Sequence, residues 1–276
     1  MVLCLCSFSP VFAQTLIDFA DPTDLAQRQP ILIAHRGGVI TPNSPECSLS
    51  AIRLAGEQDY DMVELDLRAS LDGIPIVFHD RTLKEACGRP ESVADLNSKQ
   101  LTAIRYLKGG DRIITFEEAL IACHRQGLGI MLDIKTGRED RSFLQQIDRL
   151  IQAHGFQNAT ITFTGTNQAR EHLKSARFTL TQAELKQIRQ GIELNLPRRF
   201  WFGLPSQLPL KDIPRLKKAG VVILPAINTF RYPSADHHAL AKRDVTKLLN
   251  LGVHGFQIDS IYHDLFTQKT ASSPSR

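Results

Sequence analysis

Two segments of this chain carry residues suited to phosphate chemistry: His35-Arg36-Gly37-Gly38, and the stretch from Glu64 through Asp66 to His79-Asp80. Together they hold two histidines able to move protons, an arginine that matches phosphate oxygens, and two carboxylates at alternate positions. In an extended strand side chains alternate, so Glu64 and Asp66 share one face while Val63, Leu65 and Leu67 take the other. Carboxylates forced side by side repel each other, and burial makes that worse. A divalent cation such as Mg²⁺ or Ca²⁺, which takes oxygen ligands, relieves both problems. The set points to cation-assisted attack on a phosphate diester; the plain alternative is a pair of solvated carboxylates on an exposed strand edge.

The elements that must position these groups read as short apolar runs. Ile31-Leu32-Ile33-Ala34 has the pattern of a buried parallel strand ending at His35, and Ile74-Pro75-Ile76-Val77-Phe78 that of another ending at His79. Ionisable residues at the ends of buried strands are where α/β folds place their sites. A third carboxylate follows in Gly129-Ile130-Met131-Leu132-Asp133-Ile134-Lys135, where Asp133 and Lys135 again share a face. An acid beside an ammonium suits a phosphate bridging a cation and the lysine, or else a simple surface ion pair.

The order HRG, P-E-C-S at residues 45–48, E-L-D-L, D-G-I-P-I-V-F-H-D, L-D-I-K and, near the end, Gly255-Phe256-Gln257-Ile258-Asp259 resembles the glycerophosphodiester phosphodiesterase family. The resemblance implies an α/β (β/α)8 TIM barrel, one divalent cation (Mg or Ca), and hydrolysis of glycerophosphodiesters to glycerol 3-phosphate and an alcohol. Carried over by position, it makes Glu64, Asp66 and Asp133 metal ligands, His35 and His79 the acid/base pair, Arg36 a phosphate contact, and Glu46 a support that orients Arg36 or approaches the ion; Lys135 is a second phosphate contact on the reading of its own segment. His35 is assigned as base and His79 as acid, an order the sequence leaves open, as it does whether water or the substrate's own glycerol hydroxyl attacks first. Two departures stand out. Asp133 falls where the family more often has glutamate, about 1.5 Å less reach, although the related sphingomyelinase D enzymes use aspartate there. Cys47 stands where the family usually has asparagine. The segment from Arg81 to Cys87 also departs from the family's arginine- and threonine-rich loop, so no substrate contact is carried over from it.

A length of 276 residues suits a single barrel of about 250 residues with a short extension. Strands are further expected at 159–163, 200–204, 221–227 and 255–259. No helix fits between the strand holding Asp66 and the run ending at His79, so the barrel is expected to be irregular between strands 2 and 3. Helices are signalled by Ser44-Pro45-Glu46 and by Thr115-Phe116-Glu117-Glu118, each a cap followed by acidic first-turn residues. Residues 1–13 read as a signal peptide ending at Val11-Phe12-Ala13, its basic start lying upstream of Met1, so residues 14–276 form the expected domain. Export to the periplasm or outside follows from it; an irregular segment packed under the barrel of a cytoplasmic protein is the alternative. The apolar stretch is too short to span a membrane.

Cys47, Cys87 and Cys123 lack metal-binding spacing and are expected as free buried thiols. The net charge is +4. The clusters Arg198-Arg199 and Arg215, Lys217, Lys218 accompany no nucleic-acid motif and read as solvated faces. His237-His238 is expected in a surface loop rather than at a second metal site. Trp201 and Thr229-Phe230-Arg231-Tyr232 are candidate walls for a small-molecule substrate; the oligomeric state is left open. The other functional readings are a lyase-like phosphodiesterase acting on another lipid-derived diester, and a catalytically inactive barrel used for binding. Both histidines and all three acids are present, which argues against decay.

Overall fold

The structure, a computed structural model, describes residues 15–135 and 140–267; the expected signal segment 1–13 lies outside them. Its strands are β1 (Ile31–Ala34), β2 (Met62–Ala69), β3 (Pro75–Val77), β4 (Ile114–Thr115), β5 (Gly129–Ile134), β6 (Thr160–Thr162), β7 (Arg177–Thr179), β8 (Arg199–Gly203), β9 (Val222–Ile227) and β10 (Gly255–Ile258). Among the described residues, β1, β2 and β5 to β10 run parallel. They form a closed ring, because β1 pairs with β10 on one side and with β2 on the other. The chain is a (β/α)8 barrel.

The apolar run ending at His79 is not one of the barrel strands. β3 pairs antiparallel with the far end of β2, Leu67 opposite Val77 and Ala69 opposite Pro75, and β4 pairs antiparallel with β3. The cause is the connection: a parallel crossover needs about a dozen residues, whereas residues 70–74 close a tight turn through Gly73 at φ 76°. The remaining barrel strand is β7, which the apolar pattern misses because Phe178 there stands between Arg177 and Thr179. The irregularity expected after the second strand is thus an antiparallel insertion. It has a small core of its own, including Ile76, Phe78, Leu83, Val93, Leu101 and Tyr106.

The main core lies inside the barrel and under its helices. Helix Phe116–Gln126 begins as its sequence suggests, with Thr115 and Glu118 exchanging bonds in a capping box, and stops at left-handed Gly127. Helix Arg141–Ala153 buries Phe143, Leu144, Ile147 and Ile151 along one stripe against the strands. The expected strand 200–204 forms one residue earlier, as β8, and Trp201 within it is buried in the core. Arg198, Arg215, Lys217 and Lys218 are exposed, as expected of solvated faces, and Arg199, half-buried, pairs with Glu184. Cys47, Cys87 and Cys123 are free and buried. Among the described residues no helix is long and apolar enough to cross a membrane.

Candidate active site at the strand ends

β1 delivers His35 to the C-terminal rim and the chain turns at once, Arg36 adopting a left-handed φ of 52°. The two glycines that follow are required by close packing. A Cβ on Gly37 would stand 2.7 Å from Cys47 Cα, and one on Gly38 would stand 2.1 Å from the Ala51 carbonyl oxygen. This turn presses against residues 45–48, with Cys47 N donating to Arg36 O at 2.9 Å. The helix expected from Pro45 therefore starts later, at Leu49, with Ser48 as its cap. Residues 45–47 are free to serve the site. Glu46 takes the first of its two expected places, accepting from Arg36 Nη1 at 2.8 Å.

β2 and β5 are adjacent and parallel, in a register that sets Asp66 beside Asp133. Glu64 sits two residues back on the same face, and both β2 acids are 1% exposed. One carboxylate oxygen from each of Glu64, Asp66 and Asp133 lies within 4.8 Å of the others. The shorter Asp133 side chain thus reaches the group. Lys135 Nζ bridges two of the acids, 2.6 Å from Asp133 Oδ2 and 3.1 Å from Asp66 Oδ1. The Asp133–Lys135 pair exists, but inside this cluster rather than on the surface. Arg36 N donates to Glu64 Oε2 at 2.8 Å. Even so, burial, followed by the charge of Asp66, pushes the Glu64 carboxyl well above the usual carboxylate range. Three converging carboxylates, two of them buried, form the all-oxygen donor set of a hard-cation site, with Lys135, Arg36 and Arg68 around it.

Both histidines are held in the same way. His35 Nδ1 lies 2.6 Å from Asp259 Oδ1, and His79 Nδ1 lies 2.8 Å from Asp80 Oδ1. A proton on each Nδ1 satisfies the carboxylate and leaves Nε2, which has no partner among the described residues, for chemistry. Asp259 is itself fixed by Thr229, whose N–H and hydroxyl both donate to Oδ2. Burial would raise its pKa, but the bonds from His35 and Thr229 overcome burial and hold it at about 2. The Asn228 amide lies over the same pair, 3.2 Å from His35 Nδ1 and 3.3 Å from Asp259 Oδ1. With Nδ1 protonated, that amide donates to Asp259 instead.

Asp259, Asn228 and Arg68 are members of the rim that the sequence reading did not assign. Arg68 could have been found, since it continues the Glu64, Asp66 alternation; its guanidinium binds the His79 and Lys135 carbonyls. Of the expected walls, Phe230 is 64% exposed with Arg231 stacked over its ring. His237 and His238 open the helix His237–Asn250 rather than occupying a loop, bonded to Tyr262 and Asp264.

Comparison with known proteins decides the family: residues 35–211 match the profile of the glycerophosphoryl diester phosphodiesterase family. The chain belongs to that family. Among curated relatives of this family member, glycerophosphodiester phosphodiesterase 1 of Mus musculus is 31% identical over 137 residues, 47% of this chain and 40% of its own length. The Bos taurus protein of the same name is 32% identical over 143 residues, 49% of this chain and 41% of its own. The chain thus spans well under half the length of these relatives. Solved structures share its fold. An Oleispira antarctica phosphodiesterase, determined with the product sn-glycerol-3-phosphate, matches with a TM-score of 0.66 at 20% identity, covering 90% of this chain and 99% of that one. A glycerophosphoryl diester phosphodiesterase from Parabacteroides distasonis gives 0.70 at 18%, covering 96% and 95%.

Proposed function

We propose that this family member hydrolyses glycerophosphodiesters to glycerol 3-phosphate and an alcohol. The observation that carries the reading is the convergence of Glu64, Asp66 and Asp133 within 4.8 Å at the mouth of the barrel. Family membership supports it, as do the names of the mammalian relatives and the product bound to the Oleispira protein.

The three acids would hold one divalent cation, and an all-oxygen set suits Mg²⁺ or Ca²⁺. Such an ion supplies Lewis-acid polarisation of a non-bridging phosphoryl oxygen. The chain's own groups do the rest. Arg36, steadied by Glu46, and Lys135 bind the phosphoryl oxygens and offset the charge that builds there. His35, oriented by Asp259, takes a proton from water at Nε2 as the water oxygen bonds to phosphorus. The bond from phosphorus to the alcohol oxygen breaks, and His79 gives that oxygen its proton. The two imidazoles end with their protonation states exchanged and return by proton transfer to solvent. Export through residues 1–13 belongs to the same proposal; N-terminal sequencing of secreted protein should find Gln14 first.

The test is release of glycerol 3-phosphate from glycerophosphocholine by purified protein, with and without Mg²⁺ or Ca²⁺. Turnover dependent on either ion is the expected result. No release with either ion would overturn the reading, and a cyclic phosphate product would assign a lyase instead.

A further inference from the structure

Asn228 stands at the C-terminal end of β9, beside the His35–Asp259 pair, with its side chain 2% exposed. Its amide nitrogen is fully committed. Nδ2 carries two hydrogens, and two oxygen acceptors lie within reach, Asp259 Oδ1 at 3.3 Å and Gln257 Oε1 at 3.5 Å. Asp259, with a pKa of about 2, is ionised at neutral pH, so turning the amide over would set its oxygen against a carboxylate. The amide is therefore held one way round.

That orientation leaves Oδ1 without a hydrogen-bond partner among the described residues. The oxygen is not sealed off either. Among the described residues, the fully buried side-chain polar atoms that lack a partner are Tyr60 Oη, Arg170 Nη1 and Asp212 Oδ1, and Asn228 Oδ1 is not one of them. An unpaired acceptor on a nearly buried residue at the site, still reachable, gains most from a donor that a ligand brings.

The position of Asn228 says which donor that is. It meets His35 at Nδ1, at 3.2 Å, and not at the Nε2 that takes the proton of the attacking water. His79, which protonates the departing alcohol, is carried by the hairpin on β2, and β1 and β10 separate β2 from β9 around the ring. What remains is the arm that stays with the phosphate. Resting on the hydrolase reading above, we infer that Asn228 Oδ1 accepts a hydrogen bond from a free hydroxyl of the glycerol arm. Asn228 is then a specificity residue, favouring glycerol esters over diesters whose retained arm lacks that hydroxyl.

The test compares glycerophosphocholine with its two deoxy analogues, one lacking the 2-hydroxyl and one the 1-hydroxyl of glycerol, for wild type and Asn228→Ala with Mg²⁺ or Ca²⁺ present. Wild type should lose about 10- to 100-fold in kcat/KM when the partner hydroxyl is removed. Asn228→Ala should lose a similar factor on glycerophosphocholine and then distinguish the three diesters by less than about threefold. Equal kcat/KM for all three in wild type overturns the inference, whether or not the variant folds, and leaves the hydrolase reading intact. A uniform loss in Asn228→Ala that keeps the wild-type discrimination also overturns it, because Asn228 would then act only through Asp259 and His35. Turnover of no diester counts against the hydrolase reading. Calorimetric titration with glycerol 3-phosphate and its deoxy analogues then decides the inference by itself: equal affinities in wild type overturn it, and weaker binding of one analogue, a deficit that disappears in Asn228→Ala, supports it.

Discussion

Replacing Asp259 with asparagine isolates what the carboxylate does for His35. Asp259 is met by His35 Nδ1 at 2.6 Å, Thr229 N at 2.6 Å and Thr229 Oγ1 at 2.8 Å. These donors hold its pKa at about 2 against an ordinary 3.8, despite burial. That gap corresponds to about 2 kcal/mol at 1.36 kcal/mol per unit. The attraction is shared among the donors and grows when His35 takes a second proton as general base. Losing all of it would slow the chemical step by roughly 30-fold. The amide also removes the acceptor that keeps the Nδ1–H tautomer, and a misprotonated base loses its full contribution of about 10² to 10⁴. Asp259→Asn should therefore lower kcat by about 30-fold to 10³-fold, with KM within about threefold. The assay is initial-rate release of glycerol 3-phosphate, with circular dichroism confirming the fold. The sign in stability is also fixed. A depressed carboxyl pKa adds stability that is complete above pH 3.8 and is lost as pH falls through 2, so the stability gap between variant and wild type should close across that window. A kcat within threefold of wild type would refute the role given to Asp259.

Three further outcomes test other parts of the site and its frame. Asp133→Asn removes one of three converging carboxylates, and Mg²⁺ or Ca²⁺ titration by calorimetry should show affinity weakened on the order of tenfold or more; an unchanged titration excludes Asp133 as a ligand. Burial raises the Asp61 pKa to about 6 from 3.8, so the native state holds its proton longer than the unfolded chain and stability falls as pH rises across that range. Asp61→Asn does not titrate, and urea unfolding at several pH values should show it gaining about 3 kcal/mol relative to wild type between pH 4 and 6; parallel curves would contradict this. Gly38→Ala drives a methyl to 2.1 Å from the Ala51 carbonyl at a φ of 137°, and the melting temperature should fall by at least about 6 °C. A shift below 2 °C would mean that the turn after His35 relaxes easily.

The site is legible in the sequence where its geometry is local. Alternation along β2 alone puts Glu64 and Asp66 on one face, and a four-residue apolar run is enough to place His35 at a strand end. What the sequence hides is whatever depends on a distant partner. His35 and Asp259 are 224 positions apart, and nothing near either residue announces the other. β7 is hidden for a different reason. Arg177 is buried in the barrel wall by a contact over the Phe19 ring and by its bond to the Pro197 carbonyl, so a strand residue that looks polar in sequence is satisfied only by tertiary neighbours.

β3 shows that the hidden part can sometimes be recovered from connection length. Parallel and antiparallel strands can have the same apolar composition, and Ile76 and Val77 are as buried as any barrel residue. The direction of β3 follows from the brevity of residues 70–74, which permit a hairpin and forbid a crossover. That reversal matters for chemistry. A strand continuing the barrel would carry its end to the rim one position further around, next to a different neighbour. As a hairpin on β2, β3 returns His79 toward the strand that bears Asp66, with Phe78 N donating to Asp66 O at 2.9 Å. One short turn at Gly73 therefore places the second histidine.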